Sequence, residues 1–75
     1  MLQKSKLKKA VNASREKIVL LEQKRTRSQA ALVYALLNNT TPDDADIKYF
    51  NDYTVQIENE RAHLRELMAE LEGLS

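Results

Sequence analysis

Leu7, Val11, Ser14, Ile18, Leu21, Arg25, Ser28, Leu32 and Ala35 follow one another at alternating intervals of four and three residues. An α-helix turns once in 3.6 residues, so this spacing draws a single stripe along one helix, the a/d seam of a helix that packs lengthwise on another. The sequence offers nothing to break it. The chain has one proline, Pro42, and one glycine, Gly73. Ala10 and Ala31 widen the seam with small side chains, and the segment AALVYALL (30–37) is apolar nearly all round, which predicts burial on more than one side.

The second half of the chain supplies the partner. Ile47, Phe50, Thr54, Ile57, Arg61, Leu64, Met68 and Leu71 repeat the rule, with Tyr53, Leu67 and Leu74 broadening the stripe on one flank. The expected fold is all-α: an antiparallel two-helix hairpin of coiled-coil character, one domain over 1–75, with helix 1 at about 3–38, a turn at 39–42 and helix 2 at about 43–72. The first helix is then on the order of 50 Å long. Between the helices lies NNTTPDDAD. Asn38 and Asn39 suit a helix C-terminus; Thr41 is expected as N-cap, Pro42 as first helical residue, and Asp43 and Asp44 in the first turn, where acids meet the positive end of the helix dipole. Gly73 is expected to stop helix 2.

Pairing the two stripes about this turn makes residues face each other when their numbers sum to about 85–86. Leu32 then meets Thr54, Ser28 meets Ile57, Leu21 meets Leu64, Ser14 meets Leu71, and Ala10 meets Ser75, which leaves 1–9 without an intramolecular partner. Arg25 falls opposite Arg61. Two arginines in a seam need carboxylates, and Glu22 and Glu58, each three residues before one of them, are the expected members of a polar layer.

A 75-residue chain without cysteine has neither disulfides nor a thiolate metal site to support a small core. Oligomerisation is the remaining support, and the expected form is a homodimer, two hairpins making a four-helix bundle. The net charge of +1 conceals two opposite halves. Met1–Arg27 holds nine Lys/Arg against Glu16 and Glu22, Ser28–Pro42 holds no charge, and Asp43–Ser75 holds nine acids against Lys48, Arg61 and Arg65. Such asymmetry favours antiparallel pairing of the halves and leaves a basic face on helix 1.

Catalytic equipment is scant. His63 is the one histidine, at an outward heptad position beside Glu60 and Glu66, and no serine has an adjacent base. Phosphate-cradling glycines are absent, and the three aspartates of the turn lack the glycine and spacing of a calcium loop. No catalytic residue, cofactor or metal is expected, nor a signal peptide or membrane span, and the default location is the cytoplasm. The leading expectation is a non-catalytic protein–protein interaction module, an adaptor, small chaperone or inhibitor that occupies a partner surface. Its expected partner-binding residues are the basic Lys4, Lys6, Lys8, Lys9, Arg15, Lys24 and Arg27 and the aromatic Tyr34, Tyr49 and Tyr53, because arginine and aromatic anchors dominate protein contacts. The alternative is a nucleic-acid-binding dimer that sets the same basic stripe against phosphates. The order helix, TTPDDADIKYF, helix is similar to the small hairpin components of type III secretion needle chaperones; small phage-encoded inhibitors of host enzymes share the short, helical, charged character. That likeness carries over no residue and implies only the hairpin plan and a partner-holding role.

Overall fold

A computed structural model describes residues 2–74, and the side chains of 3–74. Two helices, α1 (Leu2–Leu37) and α2 (Asp44–Gly73), pack against each other as a hairpin. Their bounds lie one residue from those expected at each end. The rod measures 57 × 15 × 14 Å with a radius of gyration of 17.0 Å, where a compact domain of this length would have about 11 Å. A rod this thin has no interior beyond the line where its helices touch.

The α1 stripe is as the spacing predicts. Val11, Ser14, Ile18 and Leu21 are buried, and Leu7, Arg25, Ser28, Leu32 and Ala35 are half-buried. On α2 the stripe is rotated by one position. Phe50, Tyr53, Ile57, Glu60, Leu64, Leu67 and Leu71 face α1, with Ile57 only 1% exposed, whereas Arg61, Met68 and Ile47 stand at the exposed edge. Both phases share Phe50, Ile57, Leu64 and Leu71; the chosen one adds Tyr53 beside a still half-buried Thr54, and takes Leu67 for Met68 and Glu60 for Arg61. Branched and aromatic bulk wins the seam, and the shorter Glu60 carboxylate is covered with its partners while Arg61 pairs with Glu22 at the exposed edge.

The register follows the phase. Ser14 meets Glu60 and not Leu71, while Met68 meets Arg15 and Arg61 meets Glu22, each three residues before the α1 position expected, so the contacts are displaced from the expected alignment. The N-terminal segment is consequently not the overhang expected: Lys4 and Lys8 line a groove with Met68, Leu71 and Glu72. The expected contact of Ala10 with Ser75, and any docking of Met1 or the Leu2 side chain, lie outside the described residues.

The turn closes with two caps. Asn39 takes the left-handed conformation (φ 55°); its N–H donates to Leu36 O at 3.2 Å, and the Thr40 N–H donates to Ala35 O at 2.9 Å. These are the two bonds of a Schellman motif, with asparagine where glycine is usual. The Asn38 side-chain amide donates to Tyr34 O at 2.8 Å, and the Thr40 hydroxyl adds a second bond to Ala35 O at 3.1 Å. The N-cap of α2 is Asp43, not Thr41: its carboxylate accepts from the Ala45 N–H at 3.1 Å, and Asp44 and Asp46 supply the acids of the first turn. Pro42 therefore precedes the cap instead of opening the helix. Aspartate caps at least as well as threonine and sits two residues nearer the apolar stripe, which decides the start. Gly73 lies within α2, with no positive φ, and Leu74 caps it.

The left-handed position gives a direct test. Asn39→Val places a β-branched side chain at positive φ and should lower unfolding free energy by about 1–2 kcal/mol, whereas Asn39→Gly should shift it by less than about 1 kcal/mol. Urea denaturation followed by helical circular dichroism measures both.

Candidate functional site

The inner seam contains one buried polar cluster. Ser14 is 4% exposed, and its hydroxyl donates to Glu60 Oε2 at 2.7 Å. The other carboxylate oxygen meets Lys17 Nζ at 3.1 Å, one helical turn along α1. The hydroxyl's hydrogen bond and then the Lys17 ammonium hold the Glu60 carboxyl below its ordinary value, against the opposing effect of burial, with a smaller contribution from His63. The remaining seam hydroxyls stay within their own helices: Ser28 donates to Lys24 O and Thr54 to Phe50 O. Ser14 alone among them crosses to the partner helix, which makes the cluster a register pin: a slip of one turn would strand the carboxylate among apolar side chains.

The expected polar quartet is divided. Arg61 and Glu22 form an ion pair at 2.6 Å across the exposed edge. Arg25 is half-buried in the seam and Glu58 is exposed. The polar layer of the seam is thus Ser14–Glu60–Lys17, and Arg25 and Arg61 do not stack as one layer. Adjacent positions on α2, Glu60 and Arg61, compete for the same place in the heptad, and the pattern of apolar residues alone cannot choose between them.

Three grooves collect the expected partner-binding residues. At the open end of the hairpin, Lys4, Lys8 and Arg15 rim a shallow groove of ≈ 570 Å³ whose floor includes Val11, Met68 and Leu71. Across one edge near the turn, Lys24 and Arg27 meet Tyr49 and Tyr53 in a smaller groove of ≈ 260 Å³, where the two rings stack with centroids 6.4 Å apart. Tyr34, 70% exposed, stands apart on the outer face of α1 with Val33 and Leu37. Lys6 and Lys9 are exposed and line none of these. The basic residues are therefore two clusters and not one continuous stripe.

The largest feature was not anticipated as a face. Val19, Gln23, Thr26, Ala30, Val33 and Leu37 are spaced 4-3-4-3-4, all exposed, on a side of α1 turned about 150° from the inner seam. Three shallow grooves run end to end along it, from Arg15 and Glu16 through Val19 and Thr26 to Leu37. None of the six positions carries a charge. Thr26 directs its hydroxyl to Glu22 O at 2.9 Å, so covering this face leaves that hydroxyl satisfied, and Gln23 brings the one side-chain amide of the series. Leu20, Tyr34 and Leu36 flank it, each more than half exposed. By contrast the outward positions of α2 are Asn51, Asp52, Val55, Glu58, Asn59, Arg65, Glu66 and Ala69, nearly all polar. The signal was in the sequence as a second 4-3 series; the all-round apolar character of AALVYALL hid its direction. The buried residues of α1 are confined to 11–21, so the richest apolar segment lies at the end of the rod where the hairpin itself covers least.

Among the described residues no group of three His, Cys, Asp or Glu side chains is placed to hold a metal ion, and no helix is long and apolar enough to cross a membrane. No family model, curated protein or solved structure matches the chain.

Two outcomes test the seam. Ser14→Ala removes a hydrogen bond to a charged group and should cost about 1.5–3 kcal/mol at neutral pH. A carboxyl depressed on folding stabilises above its unfolded value and loses that contribution as pH falls through its folded value. The wild type should therefore lose stability toward acid, and Glu60→Gln should flatten that part of the curve measured by chemical denaturation at several pH values. Arg25→Leu, which replaces a half-buried cation in the seam, should raise Tm by about 4–8 °C, the equivalent of about 1 kcal/mol.

Proposed function

We propose that this chain is a non-catalytic protein–protein interaction module: a stiff helical hairpin that acts by laying the outer face of α1 against another helix, its own copy included, in a four-helix assembly. The observation that carries the reading is the second uncharged 4-3 series on α1, exposed over its whole length. Exposed apolar surface organised at coiled-coil spacing is costly to leave in water and matches the geometry of a second helix. An adaptor, chaperone or inhibitor works by occupying such a partner. The grooves lined by the described residues of the open end and of the outer face are shallow. The basic open end, with Lys4, Lys8 and Arg15 around an apolar floor, is complementary to an acidic amphipathic segment.

A second reading rests on the same basic end. Lys4, Lys8 and Arg15 in one groove, with exposed Lys6 and Lys9 beside it, can meet phosphates of a nucleic acid. The groove has no aromatic lining for base stacking, and the acids of α2 stand alongside, which favours the protein partner.

Light scattering at micromolar concentration should give twice the 8.6 kDa chain mass, and Val33→Glu with Leu37→Glu should reduce it to one chain while helicity persists. A labelled RNA hairpin should not bind at low salt. Binding whose log K falls steeply with log salt would replace the protein-partner reading by the nucleic-acid one.

A further inference from the structure

We infer that the outer face of α1 pairs with the same face of a second copy in antiparallel orientation, so that the two α1 helices run back to back at the centre and the two α2 helices lie outside. This rests on the reading that a copy of the chain is one of its partners, and it fixes how that partner sits.

The face is self-complementary when reversed. Aligning residues whose numbers sum to 56 sets Leu37 on Val19, Val33 on Gln23 and Ala30 on Thr26, and then the same three layers again by symmetry. The small residues Ala30 and Thr26 occupy the centre, where the backbones approach most closely. The bulkier side chains lie toward both ends. On the rims Leu20 comes beside Tyr34 of the partner subunit, and Leu36 beside the stem of the partner's Glu22. All of the large exposed apolar residues of α1, Val19, Leu20, Val33, Tyr34, Leu36 and Leu37, are gathered by this one arrangement. Its one unfavourable pair is Arg27 with its copy, at a rim where both guanidiniums remain in water.

Charge selects the antiparallel direction. The arm of α1 before the overlap, residues 1–18, carries Lys4, Lys6, Lys8, Lys9, Arg15 and Lys17 against the single acid Glu16. A parallel pair lays two such arms side by side. The antiparallel pair separates them and carries each past the other hairpin's turn, where Asp43, Asp44 and Asp46 open α2. In that alignment Arg15 and Lys17 come nearest the level of those acids, and Lys4, Lys6, Lys8 and Lys9 extend past the turn. Two unlike clusters are thereby matched twice over, while the open-end groove and the α2 surface stay free for other partners.

The chain has no cysteine, which permits a clean test by cross-linking. Thr26→Cys and Ala30→Cys variants, each at an exposed position and each checked for helicity, are oxidised mildly alone and as a mixture, beside a mass measurement of the unmodified chain. The antiparallel pair brings position 26 of one copy against position 30 of the other, so the mixed disulfide should form at least about tenfold faster than either self-linked product. Self-linking of both variants with no gain on mixing would show a parallel pair and overturn the inference while the homodimer stands. A dimeric mass with no cross-link in any sample would place the interface on another face and overturn it likewise. A single-chain mass at every concentration would remove the homodimer itself.

Discussion

Two helices share one seam, and every other property of this chain follows from that constraint. A third helix would close a core; here the described residues reach full burial only at Val11, Ser14, Ile18, Leu21 and Ile57. Chains of this size are marginal when they cover so little surface. What the seam lacks in area it recovers in definition: Ser14, Lys17 and Glu60 tie one place on α1 to one place on α2, and the Schellman turn at Asn39 with the Asp43 cap fixes how the chain crosses between them. The cluster sits at the well-packed part of the rod, so the hairpin is pinned where it is tightest and loosest where it approaches the turn.

That gradient connects stability to function. The turn-proximal half of α1 holds the most apolar segment of the sequence, and α2 covers only one side of it. The other side repeats coiled-coil spacing without a charge. Helix α1 is thus two-faced: its inner stripe packs on α2 and its outer stripe is exposed and uncharged, while the outer side of α2 is mostly polar. In the proposed assembly, the binding that supplies the function would also add to the stability of the hairpin.

Much of this was legible in the residues. The α1 stripe could be read because the sequence neighbours of its positions, such as Lys8, Lys17 and Lys24, are charged and oppose a one-residue rotation. The α2 stripe could not. Tyr53 and Thr54, Glu60 and Arg61, Leu67 and Met68 are neighbours that suit the inner heptad position about equally, and a one-residue rotation changes which ones meet α1. Register and phase are one decision in a two-helix seam, so the misplaced phase carried the alignment with it, from a supposed arginine layer to the serine–glutamate pin. The cap shifted for a local reason, since Thr41 and Asp43 are both competent and only the position of the first turn distinguishes them. The expected site residues were half grouped: Lys24, Arg27, Tyr49 and Tyr53 converge, as do Lys4, Lys8 and Arg15, but the outer face that organises the surface was visible only once the inner one had a direction.

If the outer seam of α1 completes what the inner seam leaves marginal, folding and association are one equilibrium. The melting temperature over an about hundredfold range of protein concentration reads this directly, because whatever binds only the folded state raises Tm with concentration. The account requires a steady rise across the range. A Tm independent of concentration would contradict it and show that one seam suffices.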